Sequence, residues 1–190
     1  SVYFCNFWYK SLHKKNVNFA FIVIRIMLVD KFNRVHDYLR ISLTDNCNFR
    51  CNYCMPEEKI MCLPSNQLMQ KDEIVEMAKI FVNLGIKKIR LTGGEPLLRK
   101  DFLDIYEGLS QLPVTLTLTT NGFWVDRYIS QFRKAGMKGL NISLDTLDRE
   151  KFFSITKRDH FDTVWANILL MVREEFDVKV NIVLMKNVND

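Results

Sequence analysis

Three cysteines, Cys47, Cys51 and Cys54, stand four and three residues apart, directly after the β-rich run Tyr38–Leu43. Thiolates with this spacing on one loop can bind three corners of an iron–sulfur cube, which leaves the fourth iron without a protein ligand. A cluster with four cysteine ligands carries electrons, whereas a cluster with an open iron can bind and activate a substrate. The spacing therefore predicts a catalytic [4Fe-4S] cluster on these three cysteines.

A structural zinc site is the alternative interpretation, but zinc needs four ligands and usually takes them from pairs of CxxC. Cys62 could in principle be the fourth, although its neighbours Met61 and Leu63 indicate a packing segment, where a free cysteine acts as a small apolar side chain. Cys5 is assigned no role. Five cysteines is an odd count, and their crowding favours a metal site in a reducing compartment over a disulfide framework. We therefore expect a cytoplasmic protein.

A second motif, Arg90-Leu-Thr-Gly93-Gly94-Glu95-Pro96, follows the β-rich run Lys88–Thr92. Two glycines at a strand end allow the backbone to approach a ligand that a Cβ would block. By itself the motif could be a simple tight turn, so its interpretation as a ligand-binding turn depends on the cysteine loop.

Short β-rich runs alternate with helical patterns from residue 37 onward, which predicts an α/β fold with parallel strands and right-handed crossovers. Such strands form an incomplete barrel or a doubly wound sheet, and in both the chemistry lies at the carboxyl ends of the strands. Most runs are dense in Ile, Leu, Val and Thr, so we expect both faces of the sheet to be buried. The predicted strands are Tyr38–Leu43, Lys88–Thr92, Thr115–Thr120, Leu140–Leu144 and Lys179–Met185.

Acidic residues mark the expected helix starts, because a carboxylate can cap the first turn. Asp72 is expected to cap a helix that Gly85 ends, and Asp101 to open the next. The remaining helices are predicted from Asp126 to Gly136, from about Asp148, and over Phe161–Glu174.

The charge of the chain is concentrated at its start. Of 27 basic and 22 acidic residues, residues 1–26 hold four basic and no acidic ones, so residues 27–190 carry only +1. This balance gives no reason to expect nucleic-acid binding by the folded part. The apolar run Phe19–Val29 contains Arg25 and is too short to span a bilayer. We predict a domain at 27–190, with residues 1–26 as an extension outside the fold. We also expect the domain to continue beyond residue 190.

The cysteine loop, with the aromatic Tyr53 before its third cysteine, and the Gly-Gly-Glu-Pro motif together resemble the signatures of the radical S-adenosylmethionine (SAM) superfamily. The resemblance implies a partial TIM-type (β/α)6 barrel that stops after about the fifth strand. It also implies that SAM binds the open iron and is cleaved reductively to a 5′-deoxyadenosyl radical. An external electron donor is then required, and no catalytic residue beyond the cluster and SAM is expected.

A narrower resemblance covers about 160 residues, Asp30–Asp190. Tyr-Leu-Arg-Ile-Ser, Thr-Thr-Asn-Gly, Ser-Leu-Asp-Thr-Leu-Asp and Ile-Thr-Lys-Arg-Asp follow in order and are similar to the molybdenum cofactor biosynthesis protein A family, the GTP 3′,8-cyclases. The resemblance implies SAM contacts at Tyr53, Gly93, Gly94, Glu95 and Ser143. It implies GTP contacts at Arg40, Arg90, Thr119 and Lys179. By themselves Lys179 and Arg40 could be solvated charges, and Ser143 a buried strand serine. Asp145 and Asp148 are expected to cap the next helix.

The same family carries a second three-cysteine cluster that binds guanine, and that cluster is expected only beyond residue 190. The chain alone is therefore predicted to be incomplete for turnover. We expect no membrane association, and a homodimer is conceivable for the full-length parent. A related radical SAM peptide maturase and a cluster-binding fragment without activity are the competing interpretations.

Overall fold

A parallel β-sheet organises the molecule, for which a computed structural model describes residues 28–55 and 62–190 and the backbone of the strand Val2–Phe4. The six strands are hydrogen-bonded in chain order, and every neighbouring pair is parallel. The sheet is open, as in a partial barrel. The strands are β1 (Val2–Phe4), β2 (Tyr38–Ser42), β3 (Lys88–Thr92), β4 (Thr115–Thr120), β5 (Gly139–Ser143) and β6 (Asp177–Asn181).

Helices connect the successive strands from β2 onward, which confirms the α/β prediction. A short 3-10 turn, Val125–Tyr128, leads into the third helix. The helices are α1 (Lys71–Asn83), α2 (Phe102–Ser110), α3 (Ile129–Lys134), α4 (Arg149–Thr156) and α5 (Phe161–Arg173). None of the helices in the described ranges is long and apolar enough to cross a membrane.

The two faces of the sheet differ, and the prediction that both are buried is wrong. Residues alternate between buried and partly exposed along β2, β3 and β5. On β3, for example, Ile89 and Leu91 are fully buried, whereas Arg90 between them is only partly buried. Threonine favours strands as the apolar β-branched residues do, but its hydroxyl also suits a polar surface. One face therefore packs on the helices and the other forms a polar surface.

The core lies between the apolar face of the sheet and the helices. Leu39, Leu118 and Ile142 from three strands are 0% exposed. An aromatic cluster closes the side of α2 and α3, where Phe102 stacks on Tyr106 with ring centroids 5.9 Å apart. Removing this apolar surface from water is the main stabilisation of such a fold.

The helices begin close to the predicted residues, but the residues predicted to cap them are only partly confirmed. The N-terminus of α1 is capped by a reciprocal pair, Gln70 and Glu73, so the Asp72 cap is wrong. Asp101 precedes α2, but its carboxylate makes no cap hydrogen bond and binds Arg99 instead. Asp148 caps α4 as predicted and accepts the Lys151 N–H at 3.0 Å.

The N-terminal segment contributes β1, which pairs with Leu39–Ile41 of β2. Residues 1 and 5–27 lie outside the described residues. The boundary between an extension at 1–26 and a domain at 27–190 therefore stays a prediction.

Candidate functional site

Four loops meet at the carboxyl edge of the sheet because the strands are parallel. The cysteine loop follows β2, the Gly-Gly-Glu-Pro turn follows β3, and the loops after β4 and β5 lie beside them. Backbone hydrogen bonds join the first two: Gly94 N–H donates to Thr44 O at 2.7 Å and Glu95 N–H to Asn46 O at 2.7 Å. The two sequence motifs thus form one structural unit.

The cysteine loop is held in place from the opposite side by the end of α4. Arg50 N–H donates to Thr156 O at 2.9 Å, and Asn52 N–H donates to Ile155 O at 3.0 Å. These carbonyls belong to the last turn of the helix, where no intrahelical donor remains. Phe49, between the first two cysteines, is 3% exposed and packs edge-on against Phe152. The loop is therefore fixed before any ligand binds.

The three predicted ligand cysteines share one site. Burial raises the pKa of the Cys47 thiol and, with the nearby charges of Cys47, Asp145 and Cys54, raises that of Cys51 to about 12. Thiols that raise one another's pKa in this way need a positive centre to become thiolates together. A cluster with three cysteine-bound irons would supply that centre, so the donor set fits it.

The sulfur of Cys47 also has the donors that a cluster ligand needs. It accepts the Phe49 N–H at 3.4 Å and the Asn121 side-chain amide at 4.0 Å. Cys62, the alternative fourth ligand, instead donates its thiol to Asn46 Oδ1 at 3.8 Å. Within residues 28–55 and 62–190, no three His, Cys, Asp or Glu side chains converge on a point suited to a single metal ion.

Gly93 and Gly94 make room for the cysteine loop. A Cβ on Gly94 would lie 2.3 Å from Asn46 O, and a Cβ on Gly93 would lie 2.5 Å from Thr44 O. Both contacts are far shorter than van der Waals distance, and both involve backbone. Here the close approach that requires glycine is made by another chain segment. Direct SAM contacts of these glycines stay a prediction.

Glu95 lies in the core at 1% exposure and joins β3 to β4. Its Oε1 accepts the Leu97 N–H at 3.1 Å and the Thr120 hydroxyl at 2.8 Å, and its Oε2 accepts the Asn121 N–H at 2.7 Å. Burial raises the pKa of this carboxyl to about 7, although the three hydrogen bonds oppose the rise. The SAM contact of Glu95 stays a prediction.

Asn121 was missed by the sequence analysis. Its side-chain amide donates to Asn48 Oδ1 at 2.7 Å as well as facing Cys47. The Asn-Gly pair that directly follows β4 could have pointed to it, because such a pair is typical of a turn at the end of a strand.

Tyr53, a predicted SAM contact, is fixed by a residue from a distant part of the chain. Its hydroxyl donates to Asp145 Oδ2 at 2.8 Å, while Val183 N–H donates to Asp145 Oδ1 at 2.8 Å. Burial and this hydrogen bond raise the pKa of Tyr53. The prediction that Asp145 caps the next helix is therefore wrong, because its carboxylate is used elsewhere.

The predicted GTP contacts lie on the polar face of the sheet. Arg40 is the register partner of Arg90, and Arg90 Nη1 donates to Thr119 Oγ1 at 3.1 Å. Lys179 on β6 is farther away, since Asn141 of β5 stands between it and Thr119 in register. The structure thus groups Arg40, Arg90 and Thr119 and places Lys179 across the same face. Ser143, predicted to bind SAM, ends β5 on this face.

Further side chains on the polar face were not predicted. Lys88 lies two residues before Arg90, and its ammonium is 5.6 Å from the Tyr38 ring centroid. Asn141 donates its side-chain amide to Asn181 Oδ1 at 3.1 Å. Because side chains alternate between the two faces of a strand, these residues lie on the same face as Arg90.

Arg99 supports the carboxyl edge of the sheet. Its side chain is 7% exposed and pairs with Asp101 at 2.7 Å. The same guanidinium donates to Leu43 O at 2.7 Å and Met69 O at 2.6 Å. It thereby ties the end of β2 to the segments before α1 and α2. The carboxyl edge is rigid at the point where the cysteine loop begins.

An open parallel barrel with a three-cysteine loop after its first barrel strand is the architecture of radical SAM enzymes. The family model described as the radical SAM superfamily matches residues 41–190. The chain belongs to this superfamily, in which a [4Fe-4S] cluster and SAM are the characteristic cofactors.

Curated relatives narrow the similarity to molybdenum cofactor biosynthesis. The chain is 45% identical over 169 residues to the GTP 3′,8-cyclase of Listeria monocytogenes, covering 86% of this chain and 50% of that protein. It is 47% identical over 167 residues to the mitochondrial GTP 3′,8-cyclase of Arabidopsis thaliana (86% and 43%). It is also 47% identical over 165 residues to molybdenum cofactor biosynthesis protein 1 of Drosophila melanogaster (86% and 29%). The chain spans half or less of the length of these relatives.

Solved structures show the same fold at low identity. Streptococcus suis SuiB bound to S-adenosylmethionine superposes with a TM-score of 0.66 at 19% identity, over 80% of this chain and 35% of that chain. Native anSMEcpe with bound AdoMet gives a TM-score of 0.60 at 18% identity, over 75% and 43%.

Proposed function

We propose that the chain is the SAM-cleaving part of a GTP 3′,8-cyclase of molybdenum cofactor biosynthesis. The observation that carries the proposal is the placement of three thiols and the Gly-Gly-Glu-Pro turn in one hydrogen-bonded unit beside a polar sheet face that bears Arg40 and Arg90. The names of the relatives at 45–47% identity supply the reaction.

Cys47, Cys51 and Cys54 would hold the cluster, and the cluster and SAM, when bound, would supply the 5′-deoxyadenosyl radical that starts the cyclisation of GTP. Closing the bond between C3′ of the ribose and C8 of guanine to give (8S)-3′,8-cyclo-7,8-dihydroguanosine 5′-triphosphate takes one further electron and a proton, and the external donor would provide that electron. The tasks left to this chain are to hold the cluster, to orient SAM and to bind the triphosphate.

The polar sheet face suits the triphosphate because Arg40, Arg90 and Lys179 point to the same side of the sheet. A guanidinium can bind two phosphate oxygens at once, whereas lysine acts as a point charge. Thr119 fixes the Arg90 guanidinium through the hydrogen bond at 3.1 Å. We assign phosphate binding to Arg40 and Arg90, with Lys179 at the far side of the face.

SAM is assigned to the carboxyl edge between the cysteine loop and the loops after β3 and β5. The residues proposed for this site are Tyr53, Gly93, Gly94, Glu95 and Ser143. Glu95 contributes by holding the turn against Thr120 and Asn121. The remaining residues are proposed as direct contacts.

Further parts of the proposal concern the cell. The enzyme works in a reducing compartment, which we take to be the cytoplasm, and receives its electron from an external donor. We assign the guanine end of GTP to the second cluster that the resemblance implies, outside the residues of this chain. Neither nucleic acid nor membrane is a partner.

A peptide maturase is less well supported. SuiB bound to its precursor peptide SuiA superposes with a TM-score of 0.69, but its 18% identity shows the fold alone.

Electron paramagnetic resonance on the anaerobically reconstituted, dithionite-reduced chain tests the cluster site. We expect a reduced [4Fe-4S] signal that changes shape when SAM is added. Cys51→Ala should lose the signal, and Cys62→Ala, the matched control, should keep it. A signal that SAM leaves unchanged would contradict an open iron. Loss of the signal in Cys62→Ala would instead indicate a cluster with four cysteine ligands.

Equilibrium dialysis with labelled nucleotides tests the substrate site on the same reconstituted chain. GTP should bind more tightly than GMP, because most contacts on this face would be made to phosphates. Arg90→Gln should weaken GTP about tenfold or more, as expected for a lost charged hydrogen bond. Arg127→Gln, whose guanidinium lies over Trp124, is the control and should bind normally. Equal binding of GTP and GMP would contradict the assignment.

A further inference from the structure

Asp145 is a buried carboxylate that the proposed function has not used. It follows β5 and is 8% exposed. Both of its oxygens accept hydrogen bonds at 2.8 Å, one from the Tyr53 hydroxyl and the other from Val183 N–H. Burying a carboxylate costs free energy unless the group is hydrogen-bonded. Both hydrogen bonds are therefore needed to offset the burial of Asp145.

The carboxylate is anchored on the side away from Tyr53. The side-chain amide of Asn189 donates to the Asp145 backbone carbonyl at 2.7 Å and to Val183 O at 3.0 Å. Met185 N–H donates in turn to Asn189 Oδ1 at 2.7 Å. The chain after β6 is therefore folded onto Asp145, and Asp145 presents one oxygen to Tyr53 from a fixed position.

Besides Asp145, Tyr53 has a side-chain hydrogen-bond contact with Cys51 on its own loop. It stands in the middle of the short segment between Cys51 and Cys54, and it is 43% exposed. A half-exposed ring on a loop has several rotamers available. The hydrogen bond to Asp145 selects one of them and spans 92 positions in the sequence.

We propose that Asp145 is a positioning residue of the SAM site, which holds the Tyr53 ring and places a fixed negative charge beside the cluster loop. The inference deepens the proposed function and rests on its SAM site alone, not on GTP. A ring held in advance lowers the entropy cost of binding SAM, because the rotamer is chosen before the ligand arrives. The charge disfavours adding an electron to a cluster on the neighbouring cysteines.

A double-mutant cycle on the reconstituted chain tests the first role. SAM affinity is measured for the wild type, Tyr53→Phe, Asp145→Asn and the double variant. Each single change should weaken SAM about fivefold to tenfold, as expected for one lost hydrogen bond. The double variant should be no weaker than the poorer single one, since both remove the same bond. Losses that multiply, or normal affinity in Asp145→Asn, would overturn the inference.

The midpoint potential of the cluster tests the second role, which a purely structural residue would not show. Asp145→Asn should move the potential to a less negative value, whereas Tyr53→Phe keeps the carboxylate and should move it less. Asp148→Asn removes a charge three residues away, where asparagine caps the helix equally well, and should alter neither affinity nor potential by as much as Asp145→Asn. An equal shift in all three variants would overturn the inference.

These readouts separate the two proposals. No GTP is present, so a failure to bind or convert GTP would sink the proposed substrate and leave the cycle unaffected. A wild-type chain whose cluster does not respond to SAM would overturn both.

Discussion

The carboxyl group of Glu95 illustrates how a motif residue can act inside the protein. Three hydrogen bonds from Leu97, Thr120 and Asn121 use both of its oxygens, and the side chain is 1% exposed. It joins the turn after β3 to the loop after β4, and Asn121 extends the link to the cysteine loop. The acid of the motif thereby fixes the two neighbouring strand ends relative to each other.

Glu95→Gln is expected to change the pH dependence of stability. Burial raises the pKa of Glu95 from 4.5 to about 7 in the folded chain. For a carboxyl whose pKa is raised on folding, its contribution is present below pH 4.5 and is lost as the pH rises through 7. Urea unfolding from pH 5 to pH 8 should show the advantage of the wild type over the variant shrinking by about 2–3 kcal/mol.

The control for this measurement is Glu107→Gln, which replaces an exposed glutamate that pairs with Lys134 at 3.9 Å. Its stability difference from the wild type should not vary with pH in this range by more than a few tenths of a kcal/mol. A constant difference for Glu95→Gln would show that the carboxyl is ionised throughout.

The turn after β3 and the cysteine loop form a single packed element, and Gly94 is its point of closest approach. Gly94→Ala should displace the loop, because the new Cβ would meet Asn46 O at 2.3 Å. We expect the variant to fold but to retain less iron than the wild type after reconstitution, because a displacement costing about 1.4 kcal/mol or more weakens cluster binding about tenfold or more.

Gly136→Ala is the comparison, since a Cβ there meets nothing within 4 Å although φ is +71°. It should lower stability by about 1 kcal/mol through backbone strain and leave iron content unchanged. Equal iron in Gly94→Ala and the wild type would show that the loop tolerates the shift.

The packing of α2 on α3 contains a matched pair of tyrosines. The Tyr106 hydroxyl is buried without a hydrogen-bond partner in the described part of the chain, whereas the Tyr128 hydroxyl donates to Leu97 O at 3.3 Å. Tyr106→Phe should therefore stabilise the fold by about 1 kcal/mol, and Tyr128→Phe should destabilise it by about 0.5–1 kcal/mol. Thermal unfolding distinguishes the two, and destabilisation by Tyr106→Phe would indicate an ordered water at its hydroxyl.

The molecule as a whole presents an apolar edge at β6. Within the described residues β6 pairs on one side only, with β5. The segment from Val180 to Leu184 exposes four large apolar side chains, with Ile182 at 60% and Leu184 at 71%. Exposed apolar patches next to an unpaired strand edge promote association.

We expect the 190-residue chain to self-associate with rising concentration, as sedimentation velocity would show. Replacing both Ile182 and Leu184 with Lys should raise the monomer fraction with a change in unfolding free energy below about 0.5 kcal/mol, since both side chains are on the surface. A wild-type chain that stays monomeric and melts cooperatively would contradict this prediction.

The sequence by itself determined the features that depend on local pattern. The spacing of Cys47, Cys51 and Cys54, the Gly-Gly-Glu-Pro turn and the strands Lys88–Thr92 and Thr115–Thr120 could all be predicted, because each is encoded within a few consecutive residues. The parallel topology followed from the alternation of strands and helices. These features were enough to identify the superfamily.

Only the tertiary structure decided which distant side chains meet. The contacts of Tyr53 with Asp145 and of Arg90 with Thr119 depend on strand register and loop paths, which no local pattern encodes. The same holds for the burial of Glu95 and for the close approach of Gly94 to Asn46. The polar face of the sheet could be predicted only in part. The alternation of side chains along β3 indicates it, but only the strand register shows that Arg40 and Arg90 lie side by side on it. The residue types and their spacing along the chain determine the local chemistry, whereas tertiary packing determines which distant partner each group meets.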